Sequence, residues 1–351
     1  MTVFCVLFSD VSKGEEPILI SDVLVTDDGW SSGKKPRYER TYIPSIGGTF
    51  PHVGPNAAIS GMMQKTFLLP DGKCIAAAGG LQTVLSFRTQ VEQAAGIDEV
   101  LDVCSRHVDE LDFVFMSHCV EYQQLLVLAT ETCRRMTLDA YGAVIIGGSG
   151  ESTIRRLVTE HAELPFSGEG GLATLGRALC LVNAALELDA SVPQSTLGRR
   201  FGAYYEVTYF DGESFVKLDR TIHHFLAITL VEGLAAWFLS KSFYHEYVDG
   251  VLVARRITWG ADEAKSFVWQ DCYEIGGDAA PFPRGRFEEH INTVVPDPVI
   301  EVLNIKVGDR TFRFVSSQEK LVKIWQEDGR WFSDLDADMD KRLREIIAGR
   351  L

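Results

Sequence analysis

The chain has 351 residues, 46% of them hydrophobic and 24% charged, with a formal net charge of −15. That length holds one large domain or two ordinary ones, and the composition is that of a globular chain, not a fibrous or disordered one. The acidic balance disfavours nucleic acid and anionic membrane as partners, and no run approaches the roughly 20 apolar residues that span a bilayer.

Residues 3–9 and 18–26, VFCVLFS and ILISDVLVT, read as two strands joined by the turn-like SKGEEP. Both are mostly apolar, as expected of strands covered on two faces. The pattern begins directly behind Thr2, whereas a terminus is usually frayed, so this one is expected to be tied into a core. Residues 27–61 are rich in Gly, Pro, Ser and charge and read as a long loop or insertion. QKTFLLPDGKCIAAAGG then forms a hairpin about Pro-Asp-Gly.

Residues 81–126 read as helical with a break near Gly96, since Val84, Phe87, Val91, Ala94 and Ala95 recur at helical spacing. LLVLAT and RRMTLDAYGAVIIGG follow as strands, ESTIRRLVTEH and GLATLGRALCLVNAALELD as helices, and AYYEVTYFDGESFVKL as a hairpin around Asp211-Gly212. This order suggests a layered α+β core ending near residue 220. Beyond it, FYHEYVDGVLVARRITW is another hairpin, GGDAAPFPRG (276–285) is the best linker candidate, and DLDADMDKRLREIIAG is a short terminal helix. The N-terminus lacks the basic segment of a signal peptide. The seven cysteines (Cys5, Cys74, Cys104, Cys119, Cys133, Cys180, Cys272) are scattered without a Cys-x-x-Cys pair. Reduced thiols in a cytoplasmic protein are expected, without a structural zinc site.

A threonine hydroxyl is a poor nucleophile until a base takes its proton. The residue's own α-amine, titrating near pH 8, can do so if Thr is the first residue. Start methionines ahead of small residues are commonly removed, which would expose Thr2; the plain alternative is that Thr is merely tolerated there. Asp22 interrupts an apolar strand, where a charge is costly unless paired. Lys65 heads the next strand pair, and Gly79-Gly80 ends it. The plain alternatives make Asp22 a strand-end turn residue and Lys65 a solvated lysine.

In this order the segments resemble the proteasome β-subunit branch of the N-terminal nucleophile (Ntn) hydrolases, over roughly residues 2–218. The second strand ISDVLVT, the Lys-led hairpin QKTFLLPDGKCIAAAGG, the hairpin ending in Gly-Ser-Gly, and ALELDASVPQSTLGRRFGAYYEVTYFDGESFVKL carry the likeness. The resemblance implies a four-layer αββα sandwich (residues 1–218) with a C-terminal β-rich extension (219–351). It implies that Thr2 supplies nucleophile and base, that Lys65 lies beside the hydroxyl, and that Asp22 fixes Lys65. It implies that the Gly79 N–H stabilises the oxyanion. It also implies that Ser149, Asp189 and a second serine, Ser191 or Ser195, orient the amine. Ser149 also suits the cap of the following helix. The sequence departs from the pattern at Leu24, where the family usually has Arg. The long span from Asp22 to Lys65 leaves Lys34 and Lys35 as rival lysines.

The expected activity is hydrolysis of an amide bond, with a peptide as leading substrate, no cofactor or metal, and homo-oligomerisation by analogy. The rivals are a non-catalytic scaffold or binding relative and an amidase acting on a small metabolite. GGSGES lacks the ending of a P-loop and is not taken as a nucleotide site. His223, His224 and His245 read as core or surface residues, because adjacent strand residues face opposite ways. Cys5 reads as packing. Trp237, Phe238, Phe243, Tyr244, Tyr247, Trp259, Phe267 and Trp269 fit either added strands or an exposed patch.

Overall fold

The structure is a computed structural model that describes residues 2–8, 17–27, 42–49, 58–119, 124–138, 142–161, 172–190, 196–231, 234–261, 266–277, 286–289, 300–307, 310–317, 319–328 and 330–348. Two compact units result. The first comprises residues 1–218 with 248–252 and 274–284; the second comprises 219–247, 253–273 and 285–351.

In the first unit the chain runs β1 (Val3–Phe8), β2 (Ile18–Asp22), β3 (Leu24–Asp27), β4 (Tyr42–Ile43), β5 (Gly48–Thr49), β6 (Ala58–Met62), β7 (Thr66–Leu69) and β8 (Lys73–Ala78). It continues through α1 (Leu81–Gln93), α2 (Ile97–His107), β9 (Asp112–Cys119), β10 (Gln124–Ala129), β11 (Arg134–Leu138) and β12 (Gly142–Gly148). Helices α3 (Glu151–His161) and α4 (Leu172–Asp189) and strands β13 (Tyr205–Phe210) and β14 (Phe215–Lys217) complete it. A six-stranded sheet has the order β11-β12-β1-β2-β13-β14, and a four-stranded sheet the order β10-β9-β8-β7. All the pairings in both are antiparallel.

Strand β1 is central because nothing in VFCVLF tolerates water: all six residues are buried. Its even-numbered residues Phe4, Val6 and Phe8 meet Cys74, Ala76, Ala78, Val114 and Met116 of the four-stranded sheet in one cluster. The small side chains of KCIAAA let β8 approach β1 closely. The other face of β8 and β9 carries Ile75, Ala77, Phe113 and Phe115 against Val84, Phe87, Val91, Val100 and Val103 of α1 and α2.

In the second unit, β15 (Thr221–Val231), β16 (Leu234–Val248), β17 (Val251–Ala261), β18 (Ser266–Ile275), β19 (Arg286–Glu289), β20 (Ile300–Val307) and β21 (Arg310–Ser316) form a seven-stranded sheet. Its order is β19-β18-β17-β16-β15-β20-β21, and only the β15–β20 pair is parallel among the pairings described. The hairpin of β22 (Val322–Glu327) and β23 (Arg330–Leu335) and helix α5 (Ala337–Ala348) share a core with Leu226, Leu239, Leu303 and Ile305. The aromatic residues of the extension are divided: Phe243 and Tyr244 are fully buried, whereas Phe238 is exposed.

Three expectations are corrected. The fold class is not a four-layer αββα sandwich; the described residues are mostly β, in several antiparallel sheets with few helices. The helical reading of 81–126 breaks near Gly96 but stops at His107, because DFVFMSHC pairs as β9 between β8 and β10. Short-range apolar spacing up to residue 95 does not report on the aromatic, β-prone run that follows. The stretch 27–61 is also not only loop, since it contributes β4, β5 and β6. The proposed linker lies, from residue 278 to 285, outside the described residues.

Two adjacent histidines are the unusual feature of β15. His223 and His224 face opposite ways and are both buried, and burial holds each imidazole down at about 3. His224 Nδ1 meets Ser242 Oγ at 2.8 Å, whereas neither ring nitrogen of His223 has a hydrogen-bond partner among the described residues. The unfolded chain takes up these protons near pH 6.5, the folded one only near 3, so acid favours unfolding throughout that window. Stability is therefore expected to fall as pH drops from 6.5 towards 3, by up to ~1.4 kcal/mol per pH unit for each ring. Denaturant unfolding at pH 7, 6, 5 and 4 checks this: His224→Gln and His223→Gln should each flatten the slope, and unchanged slopes in both would refute it.

Candidate active site

Five strand ends converge at one end of the first unit. The register Val3↔Gly148 and Phe4↔Ser21 sets the start of β1 beside the end of β12 and near the end of β2. Ala78↔Asp112 brings the end of β8 to the start of β9. Thr2, Gly79, Ser149 and Asp112 thereby line one cleft of about 280 Å³. Thr2 itself is only 5% exposed, and among the described residues its hydroxyl has no hydrogen-bond partner.

Gly148 is required by this convergence. Its φ of +90° lies where side chains are strained, and a β-carbon there would fall onto the Thr2 carbonyl oxygen. The Gly148 N–H donates to Asp112 Oδ2 at 2.8 Å, and the Ser149 hydroxyl reaches the Thr2 carbonyl oxygen at 3.4 Å. Ser149 thus contacts the carbonyl of Thr2, and it also directly precedes α3 through Gly150.

Asp22 lies behind β1, fully buried. Its Oδ1 accepts the Val3 N–H at 2.8 Å and the Lys65 ammonium at 3.0 Å; its Oδ2 accepts the N–H groups of Gly202 at 2.9 Å and Leu24 at 3.2 Å. Lys65, also buried, further donates to the Leu24 carbonyl. Burial pushes the Asp22 carboxyl up, and the Lys65 charge and the backbone donors oppose it. Burial likewise pushes Lys65 down, against the attraction of Asp22. The lysine reaches the Thr2 region through the carboxylate it shares with the next residue's amide. No hydrogen bond joins Lys65 to the Thr2 hydroxyl among the described residues.

Asp189, at the end of α4, accepts the Ala203 N–H at 3.0 Å and the Tyr205 hydroxyl at 3.2 Å, and takes the Thr196 hydroxyl. Burial raises its carboxyl to about 8, with the nearby Asp22 charge acting in the same direction. Gly202 links the two acids: its N–H serves Asp22, its φ is +109°, and a β-carbon on it would press into Asp189 and Thr196. Ser191 and Ser195, like the rival lysines Lys34 and Lys35, lie outside the described residues.

Sequence reasoning missed Thr196, Gly202 and Glu206. Glu206 is buried on β13, accepts the Lys65 N–H at 2.8 Å and the Ser21 hydroxyl at 3.3 Å, and pairs with Lys217. Its signal was available: a lone acid inside YEVTYF carries the same message as Asp22 inside ILISD. Thr196 and Gly202 had no such signal, being ordinary loop residues whose role comes from the return of the chain towards β2. Cys5 is buried packing, and burial raises its thiol far above the ordinary range. Among the described residues no cluster could hold a metal ion, and no helix is long and apolar enough to cross a membrane. No protein-family model matches the chain, and no curated protein matches it significantly.

Because each member of the buried pair neutralises the other, removing one leaves an uncompensated charge. Lys65→Met and Asp22→Ala are each expected to destabilise the chain by about 3–5 kcal/mol, and the double variant by clearly less than the sum. Thermal and denaturant unfolding test this, and additive losses would contradict the coupling. A second outcome concerns Asp189. Folding holds its proton from about 3.8 up to about 8, so its contribution to stability falls as pH rises through that range. In Asp189→Asn that part of the decline should vanish; unfolding curves from pH 5 to 8 that keep the parental slope would refute it.

Proposed function

We propose that the chain is a threonine-type amide-bond hydrolase in which Thr2, once the peptide bond ahead of it is cut, is the nucleophile. The observation that carries this reading is the setting of Thr2: a buried residue whose hydroxyl has no partner among the described residues, lining a cleft with Gly79 and Ser149. The buried Asp22–Lys65 pair anchors the amide of the very next residue, which supports it further.

In the proposed reaction the freed α-amine takes the proton from Thr2 Oγ1 as the oxygen attacks the substrate carbonyl carbon. The C–O bond forms, the carbonyl π electrons move onto oxygen, and the Gly79 N–H faces that oxyanion, a role worth roughly 3–4 kcal/mol where it has been removed from other hydrolases. Collapse breaks the C–N bond, and the proton held by the amine passes to the leaving nitrogen. Water then cleaves the resulting Thr2 ester, its proton returning to Thr2 Oγ1 by way of the amine. Lys65 acts as a fixed positive charge at one carboxylate's remove, with Asp22 holding it; Asp189, through Tyr205, Ala203 and Thr196, fixes the loop that carries Gly202. A peptide is the leading substrate, a cytoplasmic setting is consistent with the free cysteines, and assembly into a homo-oligomer belongs to the same proposal.

A binding or scaffold role is favoured by one observation: the Lys65 ammonium donates to Asp22 and the Leu24 carbonyl, and no hydrogen bond joins it to the Thr2 hydroxyl among the described residues. One experiment separates the two. The purified chain is treated with a peptide epoxyketone, and the adduct is mapped by intact mass and peptide mass spectrometry. The hydrolase reading expects a chain starting at Thr2 and one adduct on it, lost in Thr2→Ala and retained in Thr2→Ser. A free Thr2 terminus that stays unlabelled, or a blocked terminus, favours the scaffold.

A further inference from the structure

The cleft that holds Thr2 is strongly one-sided in charge. Asp109, Glu110 and Asp112 line it, and among the described residues none that lines it is Lys, Arg or His. Asp109 and Glu110 are exposed at the turn between α2 and β9, whereas Asp112 is committed to the Gly148 N–H and the Thr132 hydroxyl. The nearest ring to Glu110 is His107, whose Nδ1 lies 3.3 Å from Glu110 Oε2 at the surface. The second observation is the one on which the hydrolase reading rests: Thr2, a residue only 5% exposed whose hydroxyl has no hydrogen-bond partner among the described residues, lines the same cleft.

We infer that this cleft selects a cationic side chain, a lysine- or arginine-like group, next to the bond presented to Thr2. Resting on the hydrolase reading, the inference adds the substrate's charge class. A volume of about 280 Å³ sits at the low end of ligand pockets and admits one side chain rather than an extended ligand. Along such a channel the apolar stem of a lysine packs against Val108 and Leu111 while its ammonium meets Asp109 and Glu110. Low-dielectric walls concentrate the field of like charges in a cleft, so an anionic side chain is repelled by the same residues that attract a cation. Asp112 fixes the turn bearing Gly148 and adds its charge to the background.

The test measures binding without requiring turnover. The full-length Thr2→Ala chain is titrated, by NMR shift changes, with acetyl-lysine methylamide, with its neutral isostere acetyl-norleucine methylamide, and with acetyl-glutamate methylamide. The lysine probe should bind at least about five-fold more tightly than norleucine, as expected where two carboxylates each add a modest surface attraction. Glutamate should bind most weakly. The lysine advantage should shrink in about 0.5 M salt, where charges are screened within a few ångströms. In the Asp109→Asn/Glu110→Gln double variant it should vanish while norleucine binding is unchanged. Equal binding of lysine and norleucine, or no binding of either, overturns the inference. Epoxyketones ending in lysine or norleucine, applied to the unsubstituted chain, separate the two ideas. Lysine preference with no Thr2 adduct sinks the nucleophile and keeps the charge selection; equal labelling by both sinks the selection and keeps the nucleophile.

Discussion

A single buried carboxylate organises the first unit. Asp22 is at zero exposure and takes hydrogen bonds from Val3, Leu24 and Gly202 and an ion pair from Lys65. Those four partners belong to β1, β3, the loop before β7 and the loop before β13. An isolated carboxylate at this depth would cost many kcal/mol, so none of the donors can leave without forcing the acid to protonate or the strand to move. Geometry at Thr2 is inherited from this demand. The Val3 amide is held by Asp22 from one side, and the Thr2 carbonyl is held by Ser149 from the other.

A second buried acid repeats the device one residue across the sheet. Tyr205↔Asp22 and Glu206↔Ser21 are adjacent rungs of the β13–β2 ladder, so their side chains point to opposite faces. Asp22 serves the end where Thr2 lies, whereas Glu206 accepts the Lys65 and Thr66 amides and the Ser21 hydroxyl. Lys65 is therefore held twice, its ammonium by one acid and its backbone by the other. A flexible four-carbon side chain has little freedom left under those conditions.

Local features of this arrangement were readable in the residues, and long-range ones were not. Apolar runs located β1, β2 and β8, the principle that a strand charge needs a partner pointed at Asp22, and the family resemblance supplied Lys65 as that partner; the two do pair. The same principle applied to YEVTYF would have found Glu206. The fold class was misjudged because the likeness covered only residues 2–218 and the hydrophobic period was extended through 126. Aromatic and β-branched residues in DFVFMSHC and in the long hairpins of the second unit instead form sheets. Thr196 and Gly202 were invisible for a different reason. Their partners, Asp189 and Asp22, are 7 and 180 residues away in the chain, and nothing in TLGRRFG announces an acid.

The glycines at 148 and 202 explain why so much charge can gather without breaking the core. Each adopts a φ open only to glycine at little cost, and each turns its N–H directly onto a carboxylate, Asp112 in one case and Asp22 in the other. Backbone amides are donors that carry no net charge and add no side-chain bulk, so they satisfy an acid while leaving adjoining space unfilled. At Gly148 that unfilled space is where the Thr2 carbonyl approaches, and beside it lies the cleft. An alanine at either position would introduce strain and a collision together, displacing the donor from its acid. The open space next to Thr2 thus follows from how its neighbouring charges are solvated by main chain, and the acidic rim is the part of that charge left facing outward.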